Sequence, residues 1–296
     1  LRIVFFTDPH LSVKKPSCRK DDYHNTINSK LDEIIQESKL SDYVISAGDI
    51  FDRYNPVIRT MNVFMNFIDK LHCPLVLCAG NHDLQGNNYE QIESTGIGHV
   101  CRFFSDKKVV LLNIDRKKYS LSHNVDIWFK ETDPIKSMKF FNVEKEKAIN
   151  FGIIHDMVIN NEFFDNFTLL EDFETNLDLL FNGHYHPGHE HRYINKTHFV
   201  NTGAMSRMSL GKSDITRKPK YAIITVNEEE KNIEVDYKSF ASYEKDVFHQ
   251  VIKSSYQEFF DNIEEKAIDN DVISFMFDES NKLSESARNV LREIYD

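Results

Sequence analysis

Tyr43-Val44-Ile45-Ser46-Ala47-Gly48-Asp49-Ile50-Phe51-Asp52 is an apolar strand that ends in a glycine and two carboxylates. A short apolar run suits a buried strand, and polar residues directly behind it suit a site at the strand's carboxyl end. The same pattern lies on either side. Upstream, residues 3–6 are apolar and end in Asp8-Pro9-His10. Downstream, residues 74–78 lead into Gly80-Asn81-His82-Asp83. Helical spacing fills the gaps. Ile27, Leu31, Ile34 and Ile35 share one face, with Asp21 or Asp22 placed to cap them, and Met61, Phe64, Phe67, Ile68 and Leu71 share another. Strand, helix, strand, helix, strand predicts an α/β sheet with parallel strands.

Beyond residue 107 the chain reads as richer in strands. Residues 109–112, 125–129, 151–154 and 177–181 are β-like, and segments near 190–193, 198–200, 221–226 and 233–237 look antiparallel. A domain boundary is expected near residue 240. After it, Val247, Val251, Phe259, Ile263 and Ala267 lie near helical spacing. Residues 272–277 are strand-like, and Ser284 is placed to cap a last helix. The expected division is residues 1–240 and a small α+β appendage, 241–296.

The chain has 296 residues, 36 basic and 47 acidic, for a net charge of −11. The charge is uneven. Residues 1–226 hold 28 basic and 29 acidic side chains, whereas residues 227–296 hold 8 and 18. A globally basic nucleic-acid binder is excluded, but the body is nearly neutral. No apolar run approaches the ~18–20 residues that span a bilayer. Cys18, Cys73, Cys78 and Cys101 form no C-x-x-C pair, which argues against a zinc ribbon and for reduced thiols in a cytoplasmic protein. The chain starts without Met, which suggests a processed start or a truncated chain.

Two more motifs complete a ladder. His155 follows the apolar residues 151–154, and Gly183-His184-Tyr185-His186 follows residues 177–181. Asp8, His10, Asp49, Asn81, His155, His184 and His186 are too many ligands for one ion but suit two, with one carboxylate shared. Imidazole, carboxylate and amide without thiolate suit Mn, Fe, Zn or a similar divalent ion. Two such ions can clamp an in-line displacement at phosphorus.

D-x-H, G-D-x-x-D, G-N-H-D, a lone His and G-H-x-H, in this order, resemble the calcineurin-like metallophosphoesterase superfamily. Within it, the sequence is similar to the SbcD-type DNA double-strand-break repair nucleases, including phage versions. The resemblance covers about residues 2–226. The nuclease branch is suggested by residues 7–11 and 48–52, and by Asn201-Thr202-Gly203-Ala204-Met205-Ser206-Arg207-Met208-Ser209. That last stretch resembles a P-G-S-x-x-R-x-S signature, with Thr202 and Ala204 in place of the Pro and the first Ser.

The resemblance implies a four-layer α-β-β-α sandwich. It implies that Asp8, His10, Asp49 and His186 hold one ion and that Asp49, Asn81, His155 and His184 hold the other. The metal is expected to be Mn2+, with Mg2+, Fe2+ and Zn2+ left open. His82 would be catalytic, assisting the leaving oxygen, and Asp83 would orient the His82 ring by accepting its N–H. Asp52 either supports the ligands or caps the following helix. The implied activity is 3′→5′ exonuclease on double-stranded DNA and endonuclease on single strands. The implied partners are DNA, an SbcC-type coiled-coil ATPase and a second copy of the chain. Lys14, Lys15, Arg19 and Lys20, and Arg207, Lys212, Arg217, Lys218 and Lys220, are candidate DNA contacts beside the site. Two alternatives stand beside this reading: a phosphodiesterase for cyclic nucleotides or small phosphoesters, and a non-catalytic DNA-end adaptor.

Overall fold

The fold is given by a computed structural model, which describes residues 1–241 apart from 105–106, 134–135 and 162–165. The elements expected in residues 242–296, and the boundary near 240, lie outside the described residues or at their edge. In chain order the main elements are β1 (Arg2–Phe6), α1 (Tyr23–Ser38), β2 (Tyr43–Ser46), α2 (Ile58–Lys70), β3 (Leu75–Cys78), α3 (Gly96–Phe103), β4 (Val109–Leu112), β5 (Lys118–Ser120), β6 (Val125–Phe129), β7 (Ile149–His155), β8 (Leu179–Gly183), β9 (Arg192–Ile194), β10 (Thr197–Val200), α4 (Lys212–Thr216), β11 (Lys220–Asn227) and β12 (Asn232–Ser239).

The first sheet has the order β12-β11-β1-β2-β3-β4. Strands β1 to β4 are parallel and lie in sequence order, with a helix in each connection. Right-handed crossovers between consecutive neighbours put α1, α2 and α3 on one face. Asp22 starts α1 by accepting the Asn25 N–H at 3.2 Å, and Ile27, Leu31, Ile34 and Ile35 are buried along its inner face. Helix α2 starts at Val57 without a side-chain cap, so Asp52 does not cap it.

The other face of this sheet is apolar too, and a second sheet, β9-β10-β8-β7-β6-β5, covers it. Phe181 of β8 reaches Phe5 of β1 with ring centroids 4.8 Å apart, and Phe151 at 5.9 Å. On the outer face of the second sheet, Ile154, Leu180 and Phe199 pack with Met138, Phe141, Leu170, Phe173 and Leu177. Among the described residues this outer layer is irregular chain with two-residue ladders, not long helices. The connections here carry single large side chains instead of an apolar helical stripe.

The late strands keep the antiparallel expectation among themselves, β9 against β10 and β11 against β12, but join the sheets in mixed directions. β10 runs parallel to β8, which runs parallel to β7, and only β9 against β10 is antiparallel in that group. Strand β11 leaves the second sheet altogether and pairs antiparallel with β1, Phe5 opposite Ala222. The chain between β10 and β11 therefore passes behind the loop that carries Asp8. The four cysteines are free thiols. No helix among the described residues is long and apolar enough to cross a membrane.

Phe181→Ala should cost about 3–5 kcal/mol of unfolding free energy in urea titration, because it empties the seam between the sheets. A loss under about 1 kcal/mol would mean the sheets do not pack through this ring.

Candidate metal centre

The carboxyl ends of β1, β2, β3, β7 and β8 open onto one edge, and their loops carry the polar motifs. Asp8, His10, Asp49 and His184 all have positive φ, at 50°, 44°, 48° and 75°. Left-handed backbone at a non-glycine residue costs on the order of 1–3 kcal/mol, and such residues cluster at functional sites. Backbone bonds between the loops hold them there: Asp8 N–H to Gly48 O at 3.2 Å, His10 N–H to Asp49 O at 3.0 Å, and Leu11 N–H to Ile50 O at 2.8 Å. Gly48 sits at φ 93°, and a Cβ there would lie 2.6 Å from Gly80 N. A Cβ on Gly80 would lie 2.1 Å from Asp49 Oδ1. The motif glycines let two strand ends close around one carboxylate.

Asp8, His10, Asp49 and His186 bring one ligand atom each within 4.8 Å of one another, and so do Asp49, His155 and His184. Asn81 joins the second group through its Oδ1, 3.1 Å from His155 Nε2. Asp49 is common to both. Its Oδ2 lies 3.5 Å from His10 Nε2 and 3.2 Å from His155 Nε2. All seven expected ligands thus meet at this edge.

The donor set fits divalent cations. His155 Nδ1 is 2.7 Å from Ala47 O and so carries a proton there, which leaves Nε2 to face the Asp49 carboxylate and the Asn81 amide oxygen. The Nε2 atoms of His10 and His186 face each other at 2.9 Å, and His10 Nδ1 is buried with no hydrogen-bond partner among the described residues. Two buried carboxylates and several ring nitrogens pointing into one space is an arrangement that positive ions complete. Asp8 is held by Thr7 Oγ1 at 2.6 Å and by the His184 N–H at 3.1 Å from each oxygen.

Titration of these side chains among themselves follows from burial and charge. Burial pushes the Asp8 carboxyl up. Burial acts the same way on Asp49, but the His155, His10 and His82 rings outweigh it and hold it well below the carboxylate range. Burial would lower the His155 ring, yet Asp49 and Asp8 override it and raise its proton affinity. Burial, then the His155 charge, pushes His184 down to about 3, and burial takes His10 well below its ordinary value. The proton of the cluster resides on His155.

His82 is exposed at the mouth of a cavity of about 740 Å³ that Asp49, Asn81, His155, His184 and His186 also line. Its ring partner differs from the sequence expectation. His82 Nδ1 is 3.0 Å from the backbone carbonyl of Asp52, not from Asp83. Asp83 is fully buried and accepts the backbone N–H groups of Ile50, Phe51 and Gly80 at 3.1, 2.9 and 3.0 Å. Burial and then the Asp49 charge push the Asp83 carboxyl up to about 7. It ties the loops after β2 and β3 together and does not touch the ring. The Asp52 side chain lies with His10 and His82 within 4.8 Å. Thr7, Ala47 and the Asp52 carbonyl were not visible as site residues in the sequence; two of the three act through backbone atoms.

The basic residues divide. Lys14 and Lys15 are exposed, as are Lys20 and Lys218. Arg19 is not: it is 1% exposed, pairs with Asp21 through two bonds of 2.8 and 2.7 Å and donates to Arg207 O. Arg207 donates to Ile215 O, Arg217 to Asp214 and Ala204 O, and Lys220 to Glu190. The side chain of Lys212 lies outside the description. Arg19 and Arg217 are internal braces, because both guanidinium groups are spent on buried acceptors.

The sequence profile of the calcineurin-like phosphoesterases matches residues 1–188. The chain belongs to that family. Its members are metal-dependent phosphoester hydrolases, and the Asp/His cluster stands where such chemistry needs it. A stretch of 92 residues, 29% of this chain, is 28% identical to the DNA double-strand break repair protein Mre11 of Thermoplasma acidophilum, and spans 24% of that protein. Among solved structures, TT1561 of Thermus thermophilus aligns over 79% of this chain and 97% of its own, at 9% identity and TM-score 0.47. The purple acid phosphatase PPD1 of yellow lupin (Lupinus luteus) aligns over 83% and 52%, at 17% identity and TM-score 0.49.

An ion held by His155 Nε2 would displace the proton there. Mn2+ binding should therefore release about one proton near neutral pH and weaken as pH falls from 8 to 6. Calorimetry in buffers of different ionisation enthalpy reads this directly; an affinity flat across that range would contradict the proton placement.

Proposed function

We propose that this phosphoesterase is a two-ion DNA nuclease, Mn2+-dependent, acting as a 3′→5′ exonuclease on duplex ends and an endonuclease on single strands. One observation carries the reading: two ligand groups share the Asp49 carboxylate, with His82 beside them at the mouth of an open cavity. The local identity to a double-strand break repair protein favours DNA over other phosphodiesters.

Divalent ions at such a centre supply Lewis acidity toward phosphoryl oxygens and make water a better nucleophile near neutral pH. The chain's residues do the rest. Asp8, Asp49 and their imidazole partners would hold the cations. The Asp52 carbonyl fixes the His82 tautomer by taking its Nδ1–H, which leaves Nε2 for substrate. In its imidazolium form His82 donates from Nε2 to the departing 3′ oxygen. The His82 backbone N–H, given to Asp49 Oδ1 at 2.9 Å, ties this residue's main chain to the shared carboxylate. Lys136, exposed at the cavity edge, and the exposed Lys14 and Lys15 of the loop after β1 supply phosphate contacts that read no sequence. The acidic C-terminal stretch serves protein contacts, to an SbcC-type ATPase or a second copy, in the cytoplasm.

The test is hydrolysis of end-labelled single- and double-stranded DNA with Mn2+, Mg2+, Fe2+ or Zn2+, beside bis(p-nitrophenyl) phosphate. Mn2+ should support DNA cleavage, and His82→Ala should lower kcat about 10²–10⁴-fold without loss of ion binding. Cleavage of the small diester but not DNA would favour a small-phosphoester enzyme. Ion binding without hydrolysis of either would favour an adaptor. Full nuclease activity in His82→Ala would refute the role of the ring.

A further inference from the structure

Residues 204–208 pass behind the metal centre, and all five of their carbonyls are taken. Ala204 O accepts from Arg217 Nη1 at 2.6 Å, Met205 O from Lys30 Nζ at 2.6 Å, and Ser206 O from Arg217 Nη2. Arg207 O accepts from Arg19 Nη1 at 2.7 Å and Met208 O from Cys18 Sγ at 3.1 Å. The amide side points the other way. Ala204 N–H donates to His186 O at 2.9 Å and Met205 N–H to Asp8 O at 3.1 Å. Two consecutive residues are thus pinned on both sides. On one side stand the backbones of two ligands, and on the other stand buried side-chain donors.

The donors are unusual. Lys30 is 2% exposed, on the buried face of α1, among residues where an apolar side chain is the common occupant. Among the described residues its partners are one carbonyl and the face of Phe240, 5.7 Å away. Burial pushes its amine well below the ordinary lysine value, but charged or neutral it still has hydrogens to give. Arg217 divides its guanidinium between two carbonyls and Asp214 Oδ1, while Asp214 Oδ2 accepts the N–H groups of Met208 and Ser209 at 2.9 and 2.8 Å. A buried lysine bonded to a single loop carbonyl adds little stability over a packed hydrophobe. What it does supply is a fixed loop position.

We propose that Lys30 and Arg217 are positioning residues for the Asp8–His10–His186 half of the metal centre, acting through the backbone of residues 204–206. The role rests on the two-ion reading above. The other half hangs on different supports: the Ala47 carbonyl under His155 and the Asp83 brace between the loops after β2 and β3. Loss of the clamp therefore weakens one ion more than the other. General destabilisation would not discriminate between them.

The experiment is titration of the full chain with MnCl2, following the electron paramagnetic resonance signal of free Mn2+. Wild type should bind two equivalents, and His186→Ala marks the one held by the first half. Lys30→Met and Arg217→Lys should weaken that equivalent about 10–100-fold, the range for loss of a ligand's outer support, and change the other less than about threefold. Arg217→Lys retains the charge but cannot reach two carbonyls and Asp214 together, so it separates geometry from charge. Leu31→Ala, at the next position of α1, is the control for lost packing. Wild-type binding of both ions in Lys30→Met and Arg217→Lys would overturn the proposal and leave the two-ion reading standing. So would equal weakening of the same equivalent in a Leu31→Ala protein of matched melting temperature. If wild type binds a single equivalent, the two-ion reading fails and the positioning role with it. Should Lys30→Met not fold, Arg217→Lys decides.

Discussion

The Asp49 carboxylate is the contact on which the rest depends. It is 1% exposed, yet its oxygens face a backbone N–H and two imidazoles drawn from three different loops. A buried carboxylate with only those partners is costly unless positive charge reaches it. Without metal, the His155 proton supplies that charge; with metal, the ions would. The demand explains the glycines on both sides. Gly48 bends where a side chain cannot, and Gly80 leaves room for the carboxylate oxygen. It also explains why four site residues have left-handed backbone: the loops are shaped to aim side chains, and the hydrogen bonds between them offset the strain.

Two sheets are needed to satisfy Asp49. β1, β2 and β3 deliver carboxylates, an amide and one imidazole, whereas β7 and β8 deliver the other three imidazoles. The aromatic seam of Phe5, Phe151 and Phe181 therefore fixes more than a core. It sets the spacing between two half-sets of ligands. The return of β11 to the first sheet adds a third support, because it carries residues 204–217 behind Asp8 and His186. Charge is arranged to match. The acidity of the whole chain is concentrated after residue 226, and two buried carboxylates, Asp8 and Asp49, lie at the candidate ligand positions, where cations would neutralise them.

The parallel half of the first sheet was legible in the sequence because each strand is a clean apolar run and each helix keeps one face. The convergence of the candidate ligands was legible for a related reason: each stands immediately behind such a run, so strand order brings them to one edge. The antiparallel pairing of β9 with β10 and of β11 with β12 was legible, but where these strands join the two sheets was not. Residues 197–200 form a short run whose neighbours are set by the sheet, and parallel pairing with β8 leaves no local mark. The partners of Asp83, His82 and Arg19 were missed for another reason. All three bond to backbone atoms of residues distant in sequence, and a backbone N–H or carbonyl has no letter of its own. Position beside a motif made Arg19 and Arg217 look like surface cations, when burial had assigned them to loop carbonyls.

The most direct test of a shared Asp49 is a crystal grown with MnCl2 and measured at a wavelength where manganese scatters anomalously. Two anomalous peaks should flank the Asp49 carboxylate, one against Asp8, His10 and His186, the other against Asn81, His155 and His184. A single peak, or a second peak with no contact to Asp49, would contradict it.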